Sequence, residues 1–264
     1  MTEATEGRIM VAVEGPVATV RIANPARRNA VSTSMWRALA RFAADASHRS
    51  DIRVVVLRGE GEAAFCAGAD VHEFDGQRQG ADAAAYDDLV EGTCRALEAV
   101  PQATLAVIRG ACMGAGNSIA ASCDMRIASH DAYFAHPAAR LGLGYDPRGI
   151  ARLAGVYGVR AVRQLMLFGT RLDATSALAL GAIDQVAAGD EMDALAVSLA
   201  AQASRGAPLT VRAAKATLRA LAPRIDPALV PEVQALSRLA DTSSDYEEGL
   251  RAFREKREPR FEGR

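Results

Sequence analysis

The size and charge of the chain limit the classes of protein to which it can belong. It has 264 residues, half of them hydrophobic, which suits one large α/β domain or a main domain with a helical appendage. Lys and Arg number 31 against 32 Asp and Glu, so the formal net charge of −1 creates no general attraction for nucleic acid or an anionic membrane. Any polyanionic ligand must therefore meet local basic side chains.

The cysteines and the N-terminal segment exclude further classes. The four cysteines are Cys66, Cys94, Cys112 and Cys123. They form no CxxC pair and have no histidine at metal-ligand spacing, so reduced, buried thiols are expected rather than a zinc site or disulfides. The N-terminal segment lacks an apolar signal-peptide core, and no run reaches the roughly 18 apolar residues of a membrane span. We therefore expect a cytoplasmic protein without nucleic-acid or membrane partners.

The first half of the chain alternates predicted strands and helices. Two β-rich runs, Arg8–Val13 and Val17–Ala23, flank the residues Glu14-Gly15-Pro16 and predict a hairpin. The next predicted elements are a helix from its N-cap Ser32 to His48, a strand over 52–57, a helix over 83–100, a strand over 104–108, a short helix over 117–121 and a strand over 125–128. Because parallel strands need long crossover connections, this alternation predicts an α/β fold with parallel pairings.

The last third of the chain is predicted to be mainly helical. A helix over 173–180 and a short strand over 183–186 are followed by almost only helical patterns from Asp193 to Lys256. Pro208, Pro223, Pro227 and Pro231 mark starts of helices and breaks between them. We therefore expect a main region over residues 1–200 and a helical C-terminal region over residues 201–264.

Two loops of small residues are the first candidates for a functional site. Residues 64–70 (AFCAGAD) and 109–117 (RGACMGAGN) each follow a predicted strand, and small side chains let a ligand approach the backbone. The second loop also opens a helix, where unpaired N–H groups favour negative charge. Either loop alone is more often a tight connection, and neither matches GxxxxGK[ST] or GxGxxG, which weakens the case for a nucleotide-binding module. Together they suggest two N–H donors on one oxyanion.

Five ordered blocks carry a resemblance to a known family. They are NPARRNA at 24–30, AFCAGAD at 64–70, GACMGAGNSIAASCDMRIAS at 110–129, FAHPAARLGLG at 134–144 and EEGLRAFREKREPRFEGR at 247–264. Over nearly its whole length the chain resembles the crotonase, or enoyl-CoA hydratase/isomerase, superfamily. The resemblance implies a crotonase-like spiral of repeated ββα units that binds acyl-CoA, with a C-terminal helical region for oligomerisation. It also implies a homotrimer or hexamer, and no cofactor besides the coenzyme A of the substrate.

The resemblance assigns the two oxyanion donors and indicates that the chain lacks the glutamates that hydratases of the family use as acid and base. The family's two donors fall on the backbone N–H groups of Ala69 and Ala115, the second of which is usually Gly. Such a pair stabilises a thioester enolate, and losing one donor typically costs about 3 kcal/mol of barrier. The two glutamates of the family's hydratases align with Ser118 and Ala138, which cannot act as carboxylates. We therefore do not expect an efficient hydratase of the standard kind.

Two other residues are candidates for proton transfer. Asp146 resembles the position of the catalytic aspartate in dienoyl-CoA isomerases and 4-chlorobenzoyl-CoA dehalogenase of the superfamily. An apolar pocket would disfavour the charge of a carboxylate there and suit a general base, whereas the alternative is a solvated turn residue. His136 is a second candidate because imidazole titrates near neutral pH, although a wall residue of the pocket is commoner. Tyr145 either donates a hydrogen bond to the acyl chain or packs.

The expected coenzyme A contacts lie in three segments. The resemblance places basic contacts on Arg27 and Arg28, and further contacts on the segment that carries the first donor, Ala67, Ala69, Asp70 and Val71. In the tail, Phe253 and Lys256 match residues that reach the coenzyme A of a neighbouring subunit, the ring against adenine and the amine towards phosphate. The alternatives are surface arginines, a capping role for Asp70 and an amphipathic tail helix that packs Phe253 on the core.

Two functions follow from these expectations. The first is an enoyl-CoA hydratase/isomerase-like enzyme in which Ala69 and Ala115 polarise the thioester and Asp146 moves a proton during double-bond migration or hydration. The second is a non-catalytic acyl-CoA-binding protein that keeps the oxyanion pocket after losing both glutamates.

Overall fold

The computed structural model describes residues 7–73, 81–220 and 230–261. The strands are β1 Arg8–Glu14, β2 Val17–Ala23, β3 Val54–Gly59, β4 Ala64–Cys66, β5 Ala103–Ile108, β6 Ala111–Met113, β7 Met125–Ser129, β8 Tyr133–Ala135, β9 Leu172–Asp173 and β10 Gln185–Ala187. The helices are α1 Thr33–Ala46, α2 Ala81–Ala99, α3 Ala115–Ala121, α4 Pro147–Leu167, α5 Ala174–Ala179, α6 Met192–Ser204, α7 Pro208–Ala220, α8 Val230–Asp241 and α9 Ser244–Glu255.

The strands form one large and one small sheet. The larger sheet has the order β1-β2-β3-β5-β7-β10 and the smaller has the order β4-β6-β8-β9. The β1–β2 hairpin and the β8–β9 pair are antiparallel, and the other pairings are parallel. Each of the pairs β3–β4, β5–β6 and β7–β8 gives its first strand to the large sheet and its second to the small sheet before a helical segment follows. The predicted α/β spiral of ββα units is thereby confirmed.

Both faces of the large sheet are covered, which explains the continuous apolar strands. On one face, Val55 and Leu57 of β3 lie in the main core together with Trp36 and Leu39 of α1. On the other face, alternate residues of β3, β5 and β7 pack against α6 through a second cluster that includes Met192. Strands of a parallel sheet that are buried on both faces read as apolar runs rather than alternating patterns.

The first helix begins where its sequence predicts. Ser32 is the N-cap of α1, and its hydroxyl accepts a hydrogen bond from the amide of Met35 at 3.3 Å. Met35, Trp36 and Leu39 lie on one buried face of the helix, as their spacing indicates. This cap fixes the point at which the chain leaves the loop that contains Arg27 and Arg28.

The short strands are the main departure from the predicted elements. Residues 64–66 and 111–113, which we interpreted as parts of loops, pair with each other as β4 and β6. Three-residue strands are too short to show a periodic pattern, so only tertiary pairing defines them. In the C-terminal region, Pro208 and Pro231 lie in the first turns of α7 and α8 as predicted, whereas Pro223 and Pro227 lie outside the described residues.

The C-terminal helices contact the core at two places. The ammonium group of Lys215 on α7 donates hydrogen bonds to Asp124 at 2.7 Å and to the carbonyl oxygen of Gln102 at 2.9 Å. On α9, Tyr246 and Leu250 pack in one cluster with side chains next to the first oxyanion loop. The division of the chain at residue 200 stays a prediction. No helix among the described residues is long and apolar enough to cross a bilayer.

Candidate active site

A cavity of about 930 Å³ contains every residue that the sequence marked as a candidate. Its walls come from the loop after β2, the two loops of small residues, helix α2, the segment from His136 to Asp146 and the C-terminal tail. The candidates that line it are Arg27, Arg28, Ala67, Ala69, Asp70, Val71, Ala115, Ser118, His136, Ala138, Asp146, Phe253 and Lys256. The fold therefore brings together segments that are far apart in the sequence.

The pairing of β4 with β6 carries the two loops side by side. Ala64 lies opposite Ala111, and Cys66 opposite Cys112, so the chain leaves both strands at the same edge. A Cβ atom on Gly114 would lie 3.7 Å from the Cα atom of Gly68, so even a methyl group at position 114 would touch the first loop. Gly114 has a φ of 47°, a left-handed conformation that glycine adopts without strain.

The amides of Ala69 and Ala115 differ from those of their neighbours. The amide of Asp70 donates to Val31 at 2.9 Å and that of Gly114 donates to Ala135 at 3.1 Å. Ala115 is the first residue of α3, so its N–H group has no acceptor within the helix. Within residues 7–73, 81–220 and 230–261, neither the Ala69 nor the Ala115 N–H group donates a hydrogen bond to another protein atom. Both amides are therefore available to a ligand in the cavity.

Ser118, which the resemblance aligns with one of the hydratase glutamates, forms a hydroxyl pair with Tyr145 at the cavity wall. The Ser118 and Tyr145 hydroxyl oxygens are 2.7 Å apart. The Tyr145 ring meets the buried His136 ring edge to face, with centroids 4.3 Å apart. Burial raises the pKa of the Tyr145 phenol above its ordinary value, so its proton is retained at neutral pH. The Tyr145 hydroxyl therefore forms a hydrogen bond at the cavity wall. Its hydrogen bond to an acyl chain stays a prediction.

The surroundings of Asp146 differ from those expected. Asp146 is the N-cap of α4, and its Oδ1 atom accepts a hydrogen bond from the amide of Arg148 at 2.7 Å. The Arg148 guanidinium lies 2.6 Å from Oδ2 of the same carboxylate and also contacts Asp88. The hydrogen bond to Asp146 raises the pKa of Arg148 still further. The Asp146 carboxylate therefore has both a capping role and an ion pair, and its role as a base stays a prediction.

Helix α2 contributes a carboxylate that the sequence interpretation missed. Glu91 is 2% exposed, lines the cavity and binds Arg152 of α4 through both oxygens, at 2.6 and 3.0 Å. Arg152 also donates a hydrogen bond to Glu98. Glu91, Cys94 and Leu97 follow one another at three-residue intervals, which places all three on one helix face. This spacing was the signal in the sequence that could have indicated that Glu91 is buried.

The cationic side chains that line the cavity fall into two groups. Arg27 forms an ion pair with Asp70, and Arg257 forms ion pairs with Glu248 and Glu255. Arg28, Arg140 and Lys256 also line the cavity, but they form no ion pair with any carboxylate in the described part of the chain. Arg140 is a second residue that the sequence interpretation missed. These three side chains are the uncompensated cations that a phosphate-bearing ligand would meet.

Phe253 and Lys256 line the cavity of their own chain. Their expected contact with the coenzyme A of a neighbouring subunit stays a prediction. Helix α9 packs through Tyr246 and Leu250 against a cluster that includes Ala69, so the tail folds back onto its own core. Phe253 is 50% exposed, so part of this residue is accessible to a ligand.

The cysteines take no part in the cavity and are buried, as predicted. Burial raises the pKa of the thiols of Cys66, Cys94 and Cys123 to about 12, and that of Cys112 well above its ordinary value. Such thiols stay protonated at neutral pH and are poor nucleophiles. No group of three or more His, Cys, Asp or Glu residues able to hold a metal occurs among the residues that the structure describes.

Comparison with known proteins identifies the family. The family model described as Enoyl-CoA hydratase/isomerase matches residues 12–264. The chain belongs to this family. It is 30% identical over 250 residues to a short-chain-enoyl-CoA hydratase of Clostridium acetobutylicum, with 94% of this chain and 95% of that protein covered. It is 32% identical over 248 residues to the putative enoyl-CoA hydratase/isomerase YngF of Bacillus subtilis, with the same coverage.

Other members of the family carry out different reactions on acyl-CoA thioesters. A methylmalonyl-CoA decarboxylase of Escherichia coli is 31% identical over 219 residues, covering 82% of this chain and 83% of the relative. A solved methylmalonyl-CoA decarboxylase in complex with 2-nitronate-propionyl-CoA superposes with a TM-score of 0.88 at 29% identity, covering 97% of this chain and 98% of that one. Family membership therefore makes the chain an acyl-CoA enzyme and leaves the exact reaction open.

Proposed function

We propose that this enzyme decarboxylates a 2-carboxyacyl-CoA thioester, of which malonyl-CoA and methylmalonyl-CoA are the simplest examples. The observation that carries the proposal is the Ser118–Tyr145 hydroxyl pair, together with Ala138, in place of the two glutamates of the family's hydratases. The site thus combines two available amides with a protonated hydroxyl donor, and lacks a carboxylate at either usual position.

The reactions of the family differ in what they require from acid and base groups. Hydration needs a base that activates water, and double-bond migration needs a group that removes a proton from carbon. Decarboxylation needs neither of these, because breaking the bond between the α-carbon and the carboxylate itself delivers the electron pair to the thioester. The carbonyl oxygen becomes an enolate oxygen, which the amides of Ala69 and Ala115 stabilise in our proposal.

The second half of the reaction needs a proton donor. After carbon dioxide leaves, the Tyr145 hydroxyl gives its proton to the α-carbon of the enolate, and the carbonyl re-forms. The phenolate recovers a proton from water through the hydroxyl of Ser118, at 2.7 Å. Burial raises the pKa of Tyr145, so the phenolate is unstable in this setting and proton recovery is favoured.

The comparisons support the same reaction. A methylmalonyl-CoA decarboxylase is among the relatives that are at least 30% identical, and a solved decarboxylase with a bound propionyl-CoA analogue superposes over 97% of the chain. We assign coenzyme A to the part of the cavity that the C-terminal tail lines. Its phosphates would meet Arg28, Arg140 and Lys256, its adenine would stack on Phe253, and the segment from Ala67 to Val71 would follow its pantetheine arm.

A substrate panel with three variants tests the proposal. Malonyl-CoA, methylmalonyl-CoA, 2-enoyl-CoAs, 3-enoyl-CoAs and dienoyl-CoAs are offered, and both thioester products and released carbon dioxide are measured. Tyr145→Phe keeps the ring against His136 but removes the hydroxyl, so decarboxylation should fall by about 10²- to 10⁴-fold, the usual contribution of a positioned proton donor. Tyr133→Phe, outside the cavity, and Asp146→Asn, which retains a helix cap, should keep most of the activity.

Each contrary result identifies a different error. A Tyr145→Phe enzyme that decarboxylates at the wild-type rate would remove Tyr145 from the reaction. If the enzyme converts only enoyl-CoAs, and Asp146→Asn loses that activity, the result would favour the hydratase/isomerase-like enzyme expected from the sequence. Tight acyl-CoA binding by calorimetry without any turnover would establish the non-catalytic binding protein instead.

A further inference from the structure

The C-terminal tail lines the cavity immediately after α9. The helix ends at Lys256, which has a left-handed φ of 54° and donates its amide hydrogen to the carbonyl oxygens of Ala252 and Phe253. The next three residues, 257–259, line the cavity together with Lys256. A chain that turns sharply at a non-glycine residue needs other contacts to fix its direction, because the left-handed region is unfavourable for residues with a Cβ.

One buried carboxylate supplies those contacts. The side chain of Glu248 is 9% exposed, and its Oε1 atom accepts hydrogen bonds from Arg257 at 2.6 Å and from the amide of Arg260 at 2.9 Å. Its Oε2 atom accepts from Arg257 at 3.0 Å and from Arg251 at 3.0 Å. A single side chain of α9 therefore binds the helix and both ends of the segment 257–260.

Helix α9 is itself fixed against the active-site loops. A Cβ atom on Gly249 would lie 2.3 Å from the carbonyl oxygen of Leu141, so the helix backbone touches the turn over 138–141 directly. A Cβ atom on Gly142 would likewise lie 2.5 Å from the carbonyl oxygen of Asp245. Because α9 is fixed, the hydrogen bonds of Glu248 also fix the tail where it lines the cavity.

The charges of the tail separate the roles of its cations. Arg257 is neutralised by Glu248 and Glu255, whereas Lys256 forms no ion pair with any carboxylate in the ranges that the structure describes. The attraction of the tail for a phosphate therefore depends on Lys256, and Glu248 contributes geometry rather than charge. A carboxylate that accepts hydrogen bonds from three residues is well suited to such a fixed position, because charge-assisted hydrogen bonds are short and directional.

We propose that Glu248 is a positioning residue for coenzyme A binding: it holds the tail so that Lys256 and Phe253 face the nucleotide end of coenzyme A. The proposal rests on the proposed function only in taking the cavity as the acyl-CoA site. It requires no particular reaction, and it concerns affinity for the nucleotide rather than catalysis at the thioester.

Calorimetry with two probes tests this role. Coenzyme A contains the nucleotide, whereas S-acetylpantetheine contains only the pantetheine arm. In Glu248→Gln, which keeps the shape of the side chain but removes its charge, the Kd for coenzyme A should rise about tenfold or more, the effect of losing one charge-assisted contact. The Kd for S-acetylpantetheine should not change. Glu247→Gln, the adjacent exposed position, is the matched control and should bind both probes like the wild type.

The outcomes distinguish this inference from the proposed function. Unchanged coenzyme A affinity in Glu248→Gln, or equal weakening for both probes, would overturn the positioning role. Absence of coenzyme A binding by the wild type would instead overturn the assignment of the cavity. If Glu248→Gln does not fold, Glu248→Asp decides in the same assay, because it keeps the charge but shortens the reach to Arg257 and Arg260 and should weaken coenzyme A alone.

Discussion

The close approach of α3 to the first loop depends on a single missing side chain. A Cβ atom on Gly116 would lie 2.6 Å from the carbonyl oxygen of Cys66, a backbone atom that cannot move independently of β4. Gly116→Ala should therefore separate the amides of Ala69 and Ala115 and lower kcat/KM by about 10²-fold, the cost of a displacement on the order of 1 Å at a reacting group.

A second glycine provides the control for this substitution. Gly92 is exposed on helix α2, and a Cβ atom there would meet no other heavy atom within 4 Å. Gly92→Ala should stabilise the helix by about 0.5–1 kcal/mol and leave kcat/KM unchanged. Urea denaturation and steady-state kinetics of both variants check the pair. Wild-type kinetics in Gly116→Ala would contradict the role of the close approach.

Individual site residues were predictable where a short motif contains them. Ala69 and Ala115 lie in runs of small residues whose order is characteristic of the family, so their placement in one cavity was expected. Glu91 belongs to no such run, and Arg140 lies in the block at 134–144 without a role that the resemblance assigns. Only the packing of α2 and of the turn over 138–141 brings these two residues to the cavity. The surroundings of Asp146 depend on the rotamer of Arg148, which spacing along the chain does not determine.

At the scale of elements, one buried lysine attaches α7 to the main sheet region. Lys215 is 7% exposed and forms an ion pair with Asp124, whose carboxylate also accepts a hydrogen bond from the amide of Thr104 at 2.8 Å. Lys215→Ala leaves the carbonyl of Gln102 without this donor and should lower the free energy of unfolding by about 2 kcal/mol.

The effect of Lys215→Ala should be specific to its position. Arg212→Ala, on an exposed position of the same helix, should change the free energy of unfolding by less than about 0.5 kcal/mol. Neither substitution should alter the Kd for coenzyme A, since neither residue lines the cavity. Equal denaturation midpoints for the two variants would show that Lys215 does not attach α7.

Helices and strands were predicted correctly where a local sequence pattern was long enough to recognise. The hairpin of β1 and β2, the N-cap at Ser32 and the parallel central strands were all expected from local patterns. The three-residue strands β4, β6 and β8 have no such pattern, because pairing between distant segments defines them. These short strands belong to the small sheet, and β4 and β6 lead into the two oxyanion loops. The strands that are hardest to predict from the sequence therefore bring the two loops together.

At the scale of the whole molecule, segments from both ends of the chain line the cavity. The tail lines the cavity of its own chain, and its expected contact with the coenzyme A of a neighbouring subunit stays a prediction. The homotrimer or hexamer and the cytoplasmic location stay predictions. Leu167 and Phe168 at the end of α4 are 73% and 78% exposed, and such apolar side chains are available for contacts between copies of the chain.

The stability of the whole molecule should depend on pH through Glu248. Hydrogen bonds from Arg257, from Arg251 and from the amide of Arg260 hold the pKa of Glu248 well below its ordinary value of 4.5. Because the pKa is lower in the folded state than in the unfolded state, this carboxylate stabilises the fold above pH 4.5 and the contribution declines as the pH falls further. The tail should therefore loosen in acid.

Denaturation at two pH values checks this linkage. Wild type should exceed Glu248→Gln in urea midpoint at pH 7, and the difference should shrink at a pH of about 3, where the unfolded carboxyl is already protonated. Glu247→Gln, which lacks these donors, should show no comparable change in the difference between the two pH values. A gap between wild type and Glu248→Gln that is the same at both pH values would mean that the charge of Glu248 does not stabilise the tail, and the contacts with Arg257 and Arg260 would then act only through shape.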